Sequence, residues 1–143
     1  MSTANAMKIL LVEDSVADAE LTLEALQDSE ISNVVTVVRD GAAAMAHLRS
    51  TATGPARPDL VILDLNLPKM NGHEVLAAMR EDDELRRMPV AILSTSSAEA
   101  DVVRTYDLGA NCYLTKPVDV DQYVHVVRSI EDFWLGLVRL PGQ

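Results

Sequence analysis

The chain has 143 residues, of which 48% are hydrophobic, and a formal net charge of −10 at pH 7. This length and composition suit one globular domain with one core and argue against wholesale disorder. The negative charge disfavours direct nucleic-acid binding, no apolar run is long enough to cross a bilayer, and a single cysteine excludes an internal disulfide. With no signal peptide in residues 1–8, we expect a cytoplasmic protein with neither nucleic acid nor membrane as a partner.

Short apolar runs alternate with amphipathic stretches along the chain, as strands alternate with helices in α/β proteins. Strands are predicted at residues 7–12, 33–38, 60–64, 90–94 and 111–115. Helices are predicted to about residue 28, over 41–49, from 71 through 79, from Ser96 or Ser97 to Gly109, and from 119 to 138. Five strands in alternation with five helices predict a doubly wound α/β fold, in which a five-stranded parallel sheet carries helices on both faces.

Polar residues stand where several predicted strands end, and in a parallel sheet these ends share one edge. They are Glu13, Asp14, Asp64, Ser94, Thr95 and Lys116. Each alone is typical of a turn or helix cap, but together they bring complementary chemistry to one place. Clustered carboxylates require a balancing cation, and oxygen ligands suit Mg²⁺. Asp64, which follows the central strand, is the best candidate for a nucleophile that forms an aspartyl phosphate.

At these residues the chain resembles the receiver domain of two-component response regulators, over about Lys8 to Ile130. The matching stretches are "ILLVEDS", "PDLVILDLNLPKMNG", "VAILSTSS" and "LGANCYLTKPVD". The resemblance implies a flavodoxin-like (βα)5 fold with strand order 2-1-3-4-5. It also implies a flexible N-terminus over residues 1–7, and one receiver domain over 8–143 with an extended C-terminal helix and tail. Such a protein is a signalling switch rather than an enzyme, although it catalyses its own phosphotransfer and autodephosphorylation.

The resemblance also implies roles for the residues at the edge of the sheet. Asp64 matches the phosphoacceptor, which receives its phosphoryl group from a histidine kinase. Glu13 and Asp14 match the acidic pair that holds Mg²⁺ together with Asp64 and the backbone carbonyl of Asn66. Lys116 matches the lysine that contacts the phosphoryl group.

The switch residues follow from the same resemblance. Ser94 matches the switch hydroxyl, with Thr95 as its neighbour, and Tyr113 matches the switch aromatic. The bond between Lys116 and Pro117 is expected to be cis, as is typical of the family. Because the chain continues only a short way past these stretches, we expect its output to be contact with another protein or onward transfer to a downstream phosphotransfer protein.

Two further stretches, "REDDELRRMPV" and "SIEDFWLGLVRLPG", resemble the small regulators that pair with phytochrome-type sensor kinases. The last predicted helix carries a wide apolar stripe that includes Phe133 and Trp134. One interpretation is that this helix folds onto its own domain. The other is a homodimer interface in which the two aromatic side chains are anchors. His73 is expected to be solvated on its helix.

Three alternatives remain open at this point. A phosphatase of the haloacid dehalogenase class also uses an aspartyl phosphate and Mg²⁺, but it has an acid where this chain has Asn66. A flavodoxin-like FMN carrier needs a phosphate-binding loop after the first strand, where this chain has Glu13 and Asp14. A pseudo-receiver binds partners without being phosphorylated, although here the acceptor residues look complete.

Overall fold

The computed structural model describes residues 6–28, 31–130 and 132–134, and within them five strands alternate with five helices. The strands are β1 (Met7–Val12), β2 (Asn33–Val38), β3 (Leu60–Leu63), β4 (Val90–Ser94) and β5 (Cys112–Thr115). The helices are α1 (Val16–Gln27), α2 (Gly41–Thr51), α3 (Gly72–Glu81), α4 (Glu99–Asp107) and α5 (Val120–Ile130).

All strand pairs are parallel, and the order in the sheet is β2-β1-β3-β4-β5. The predicted fold class and strand order are therefore confirmed. β3 lies at the centre, paired with β1 through Val12 and Leu63 and with β4 through Leu63 and Ile92. Its four residues are buried, which explains why its sequence is an unbroken apolar run rather than an alternating one.

Two apolar cores lie on opposite faces of the sheet. α1 and α5 pack on one face, and α2 and α3 pack on the other. α4 is different, because Thr105 is its one buried residue. An element with few buried contacts costs less free energy to displace. α4 is therefore the helix of this fold that can shift at the lowest cost.

Side-chain caps explain where three of the helices begin. Ser15, Asp40 and Asn71 accept hydrogen bonds from backbone N–H groups in the first turns of α1, α2 and α3. α4 starts after Ala98, which offers no side-chain cap. The expected cap by Ser96 or Ser97 is therefore wrong, since the Ser96 hydroxyl instead donates to Asp101 at 2.6 Å.

The expected bounds of the domain can be compared with the structure only at the start of β1. Met7 is the first residue of β1, so the expected boundary after residue 7 falls inside a strand. Residues 1–5 and 135–143 lie outside the described residues, and the flexible start and the extended helix and tail stay predictions. No helix among the described residues is long and apolar enough to span a membrane.

Candidate functional site

The residues that directly follow β1, β3 and β5 place their side chains at one point on the edge of the sheet. The backbone pairing continues one residue beyond the strands: Glu13 N–H donates to the carbonyl of Val38 at 3.0 Å, and Asp64 N–H to that of Val12 at 3.1 Å. On the other side, the Lys116 N–H donates to the carbonyl of Ser94 at 2.7 Å. The three side chains are thus placed by the rigid sheet rather than by free loops.

The turn after β3 is shaped by a glycine at the start of α3. A Cβ on Gly72 would lie 2.4 Å from the carbonyl oxygen of Asp64, so a larger residue would push the helix away from the strand end. The Gly72 N–H also donates to the carbonyl of Leu65 at 2.9 Å. α3 therefore begins directly against the backbone that presents the Asp64 carboxylate.

The ammonium group of Lys116 is the centre of the site. Its Nζ donates to Glu13 Oε1, to Asp18 Oδ2 at 2.9 Å and to Asp64 Oδ2 at 3.1 Å. The lysine side chain is 4% exposed, while those of Glu13 and Asp64 are 3% and 8% exposed. One buried cation is therefore shared by three carboxylates, in surroundings that screen charge poorly.

The three carboxylates around Lys116 carry more negative charge than its single ammonium group can balance. Burial raises the pKa of Glu13 from 4.5 to about 7, and the hydrogen bond with Lys116 only partly opposes the shift, to which Asp64 also contributes. Burial acts to lower the pKa of Lys116, but its bonds to Glu13 and Asp18 raise it overall, so the lysine stays charged at neutral pH. A further cation would favour the fully ionised cluster.

The donor set fits a divalent metal ion. Glu13, Asp14 and Asp64 each offer a carboxylate oxygen, and these atoms lie within 4.8 Å of one another. Asp14 is exposed, which gives an ion a path from solvent. All the donors are oxygens, as Mg²⁺ requires. The Asn66 N–H donates to Asp64 Oδ1 at 3.3 Å, which holds the turn beside the carboxylate, and the role of the Asn66 carbonyl stays a prediction.

The expected switch residues are connected through Ser96. Ser94 is fully buried, and its hydroxyl oxygen accepts a hydrogen bond from the Ser96 N–H at 3.2 Å. The hydroxyl of Tyr113 donates to the carbonyl of Ser96 at 2.7 Å. Thr95 is exposed. The backbone of one loop residue thus contacts both the hydroxyl and the aromatic side chain that the resemblance singles out.

The structure departs from the sequence-based expectations at two positions in or near the site. No described peptide bond is cis, so the bond between Lys116 and Pro117 is trans, the more stable form by about 0.5–1 kcal/mol in X–Pro bonds. His73 is 8% exposed rather than solvated, because α4 covers the first turn of α3. Burial lowers the pKa of His73, and the nearby Arg104 lowers it further.

Sequence reasoning also missed a residue that contacts the Lys116 ammonium. Asp18 lies in the first turn of α1, where an acidic residue is usual for reasons of helix stability alone. Its only signal is its position in the first turn of the helix that follows Glu13 and Asp14. That position becomes informative only when the direction of α1 relative to the sheet is known.

The two aromatic residues of the expected interface have different environments. Trp134 is 8% exposed and packs with the α1 and α5 core, whereas Phe133 is 52% exposed. Their rings meet edge to face, with centroids 5.4 Å apart. Both line an apolar groove of about 150 Å³ beside Cys112 and Leu114 of the edge strand β5. Trp134 therefore contributes to the fold itself, whereas the Phe133 ring is largely exposed, and an interface role for either residue stays a prediction.

Comparison with known proteins agrees with this geometry. The family model described as response regulator receiver domain matches residues 9–128. Response regulator Rcp1 from Synechocystis sp. is 47% identical over 136 residues, covering 94% of this chain and 92% of the relative. The crystal structure of the Mn²⁺-bound form of Rcp1 superposes with a TM-score of 0.89 at 47% identity, covering 95% and 99% of the two chains. The phosphorylated cyanobacterial phytochrome response regulator RcpA superposes with a TM-score of 0.90 at 48% identity, covering 96% and 99%.

Proposed function

Because the chain belongs to the response regulator receiver domain family, whose members are phosphoacceptors, we propose that Asp64 is the residue that accepts the phosphoryl group. The observation that carries this assignment is the 3.1 Å contact between Lys116 Nζ and Asp64 Oδ2 at the end of the central strand. The family match does not support a phosphatase of the haloacid dehalogenase class. Asn66 also stands where that class has its second acid.

The reaction is a displacement at phosphorus. A carboxylate oxygen of Asp64 forms a bond to the phosphorus of a phosphohistidine, and the phosphorus–nitrogen bond breaks. The imidazole leaves with the electron pair and takes a proton from water. Lys116 supplies fixed positive charge where negative charge gathers on the phosphoryl oxygens. Hydrolysis by water later returns the Asp64 carboxylate and inorganic phosphate.

Glu13, Asp14 and Asp64, with the Asn66 carbonyl, would hold Mg²⁺. When bound, this ion offsets the charge of the carboxylates and of the incoming phosphoryl group. The raised pKa of Glu13 shows that its charged form is disfavoured in this cluster, and a second cation would stabilise that form.

The response to phosphorylation passes through the loop between β4 and α4. The Ser94 hydroxyl has its oxygen occupied by the Ser96 N–H, so its proton is the group it can offer to a phosphoryl oxygen. A shift of Ser94 would disturb the Ser96 carbonyl that holds Tyr113. Thr95, beside Ser94, would move with it, and α4 follows easily because it buries so little.

The partners follow from likeness to the relatives. RcpA is described as a cyanobacterial phytochrome response regulator, and its likeness to this chain supports a phytochrome-type sensor histidine kinase as the donor. The exposed ring of Phe133, supported by Trp134, would anchor a homodimer through the C-terminal helix region. A downstream phosphotransfer protein is the other recipient of the signal. The protein would act in the cytoplasm.

One experiment tests the acceptor assignment. The protein is incubated with Mg²⁺ and acetyl phosphate, and its intact mass is followed. Wild type should gain the mass of one phosphoryl group, Asp64→Asn should gain none, and Asp121→Asn, which removes an exposed carboxylate on α5, should behave as wild type. Equal labelling of all three proteins, or no Mg²⁺ dependence, would refute the assignment.

A further inference from the structure

Asp18 is a contact of the reactive lysine that neither the resemblance nor the family match assigns. Its carboxylate accepts a hydrogen bond from Lys116 Nζ at 2.9 Å, shorter than the 3.1 Å bond from the same nitrogen to Asp64. The Asp18 side chain is 29% exposed, so it meets the buried ammonium from the solvent side. It belongs to α1, and therefore approaches the ammonium from outside the sheet.

The number of hydrogen-bond donors on the ammonium limits what Lys116 can do. A lysine ammonium has three N–H donors, and here three carboxylates receive them, from Glu13, Asp18 and Asp64. A phosphoryl oxygen can therefore be contacted only when one existing bond is given up. The bond to Asp64 is the one that phosphorylation itself weakens, because the carboxylate loses its charge as it becomes an acyl phosphate.

The carboxylate of Asp18 is carried by a fixed piece of backbone. Its own N–H donates to the Ser15 hydroxyl at 3.2 Å, and its carbonyl accepts from the Thr22 hydroxyl at 2.8 Å. The Thr22 hydroxyl lies in turn 3.2 Å from the hydroxyl of Tyr123 on α5. The first turn of α1 is thus held at both ends, and Asp18 presents a pre-organised acceptor to Lys116.

We propose that Asp18 is a positioning residue for phosphoryl transfer, which with Glu13 fixes two N–H groups of Lys116 so that the third faces Asp64 and the incoming phosphoryl group. This role rests on the proposed function of Asp64. Asp18 acts through Lys116 rather than on the substrate. Its contribution is orientation, since a misplaced charge stabilises the transition state less well.

Acetyl phosphate is the probe for the test. In the reaction an Asp64 oxygen bonds to phosphorus, the bond from phosphorus to the acetyl oxygen breaks, and acetate leaves with the electron pair. The rate is measured at saturating Mg²⁺ from intact mass at timed intervals. The variants are Asp18→Asn, Asp18→Leu and Asp18→Ala, with Glu20→Ala as a matched loss of an exposed acidic residue on the same helix.

Asparagine and leucine have similar shapes and both remove the charge, but asparagine alone keeps an oxygen that accepts from Lys116. We expect Asp18→Asn to stay within about threefold of wild type, and Asp18→Leu and Asp18→Ala to be about tenfold slower than Asp18→Asn. Glu20→Ala should match wild type. Thermal melting of each variant, followed by circular dichroism, shows whether a slower rate results from unfolding. If Asp18→Ala does not fold, the comparison is made with Asp18→Leu alone.

The outcomes separate the two proposals. If wild type is not labelled, the proposed function of Asp64 fails. If wild type is labelled and Asp18→Leu is as fast as Asp18→Asn, the positioning role is refuted. A faster reaction in both variants would also overturn it, since Asp18 would then repel the phosphoryl group rather than orient the lysine.

Discussion

Replacement of Lys116 by methionine should destabilise the protein by an amount that depends strongly on pH. The substitution keeps a long side chain but leaves Glu13 and Asp64, with 3% and 8% side-chain exposure, without their shared cation. Removing one partner of a buried ion pair costs about 3–5 kcal/mol. Lys69→Met is a matched control because Lys69 is 72% exposed and lies 3.7 Å from Asp40. An exposed pair of this kind contributes about 0–1 kcal/mol.

The pH dependence follows from the protonation of Glu13. Its pKa is about 7 in the folded protein against an ordinary 4.5, so between these values the folded state binds more protons than the unfolded state. The contribution of Glu13 to folding stability is therefore most favourable below pH 4.5 and becomes less favourable as the pH rises through 7. From pH 6 to pH 8 this group alone lowers wild-type stability by roughly 1 kcal/mol.

In Lys116→Met the bond that lowers the Glu13 pKa is lost, so this pKa rises further and the fall extends to higher pH. The loss between pH 6 and pH 8 should then be larger than in wild type, with an upper limit of about 3 kcal/mol for one proton over two pH units. Urea unfolding at both pH values, in EDTA and followed by circular dichroism, measures these differences. Equal losses in Lys116→Met and Lys69→Met, or a cost in Lys116→Met that shrinks at pH 8, would refute the reasoning.

The other predictions concern the metal, the aromatic pair and the loop after β4. Mg²⁺ should raise the melting temperature more at pH 8 than at pH 6, because the proton on Glu13 competes with the ion; at about 100 times its Kd the ion should add about 2.7 kcal/mol. Trp134→Ala should cost about 3–5 kcal/mol in urea unfolding, because Trp134 is buried. Phe133→Ala should cost far less and instead convert dimer to monomer in light scattering; a monomeric wild type would contradict the dimer. Tyr113→Phe should cost about 1 kcal/mol through the lost bond to Ser96, and an unchanged stability would argue against that bond.

The sheet and the central carboxylate could be predicted from the sequence because both depend on local patterns. The apolar run before Asp64 is long enough for a strand but too short for a helix, and the parallel arrangement brings Glu13 and Lys116 to the same edge. These relations need only the order of the elements. The structure brings Glu13 and Asp64 into contact with the Lys116 ammonium, and the roles of these residues stay predictions.

Residues whose environment depends on how a helix is tilted could not be predicted in the same way. Asp18 reaches Lys116 because α1 starts at Val16 and packs on the sheet face that it shares with α5, which no local pattern encodes. His73 is buried because α4 packs over the start of α3, although its own sequence surroundings are polar. Ser96 looks like a helix cap, and only the position of Asp101 one turn later draws its hydroxyl away from that role.

The central claim is that Asp64 itself becomes the acyl phosphate. Reduction with borohydride converts a phosphorylated aspartate to homoserine, and sequencing of the resulting peptides by mass spectrometry shows which residue reacted. After incubation with Mg²⁺ and acetyl phosphate, the account predicts homoserine at position 64 alone. Homoserine at another aspartate, or an unmodified Asp64 in protein that has gained a phosphoryl group, would contradict it.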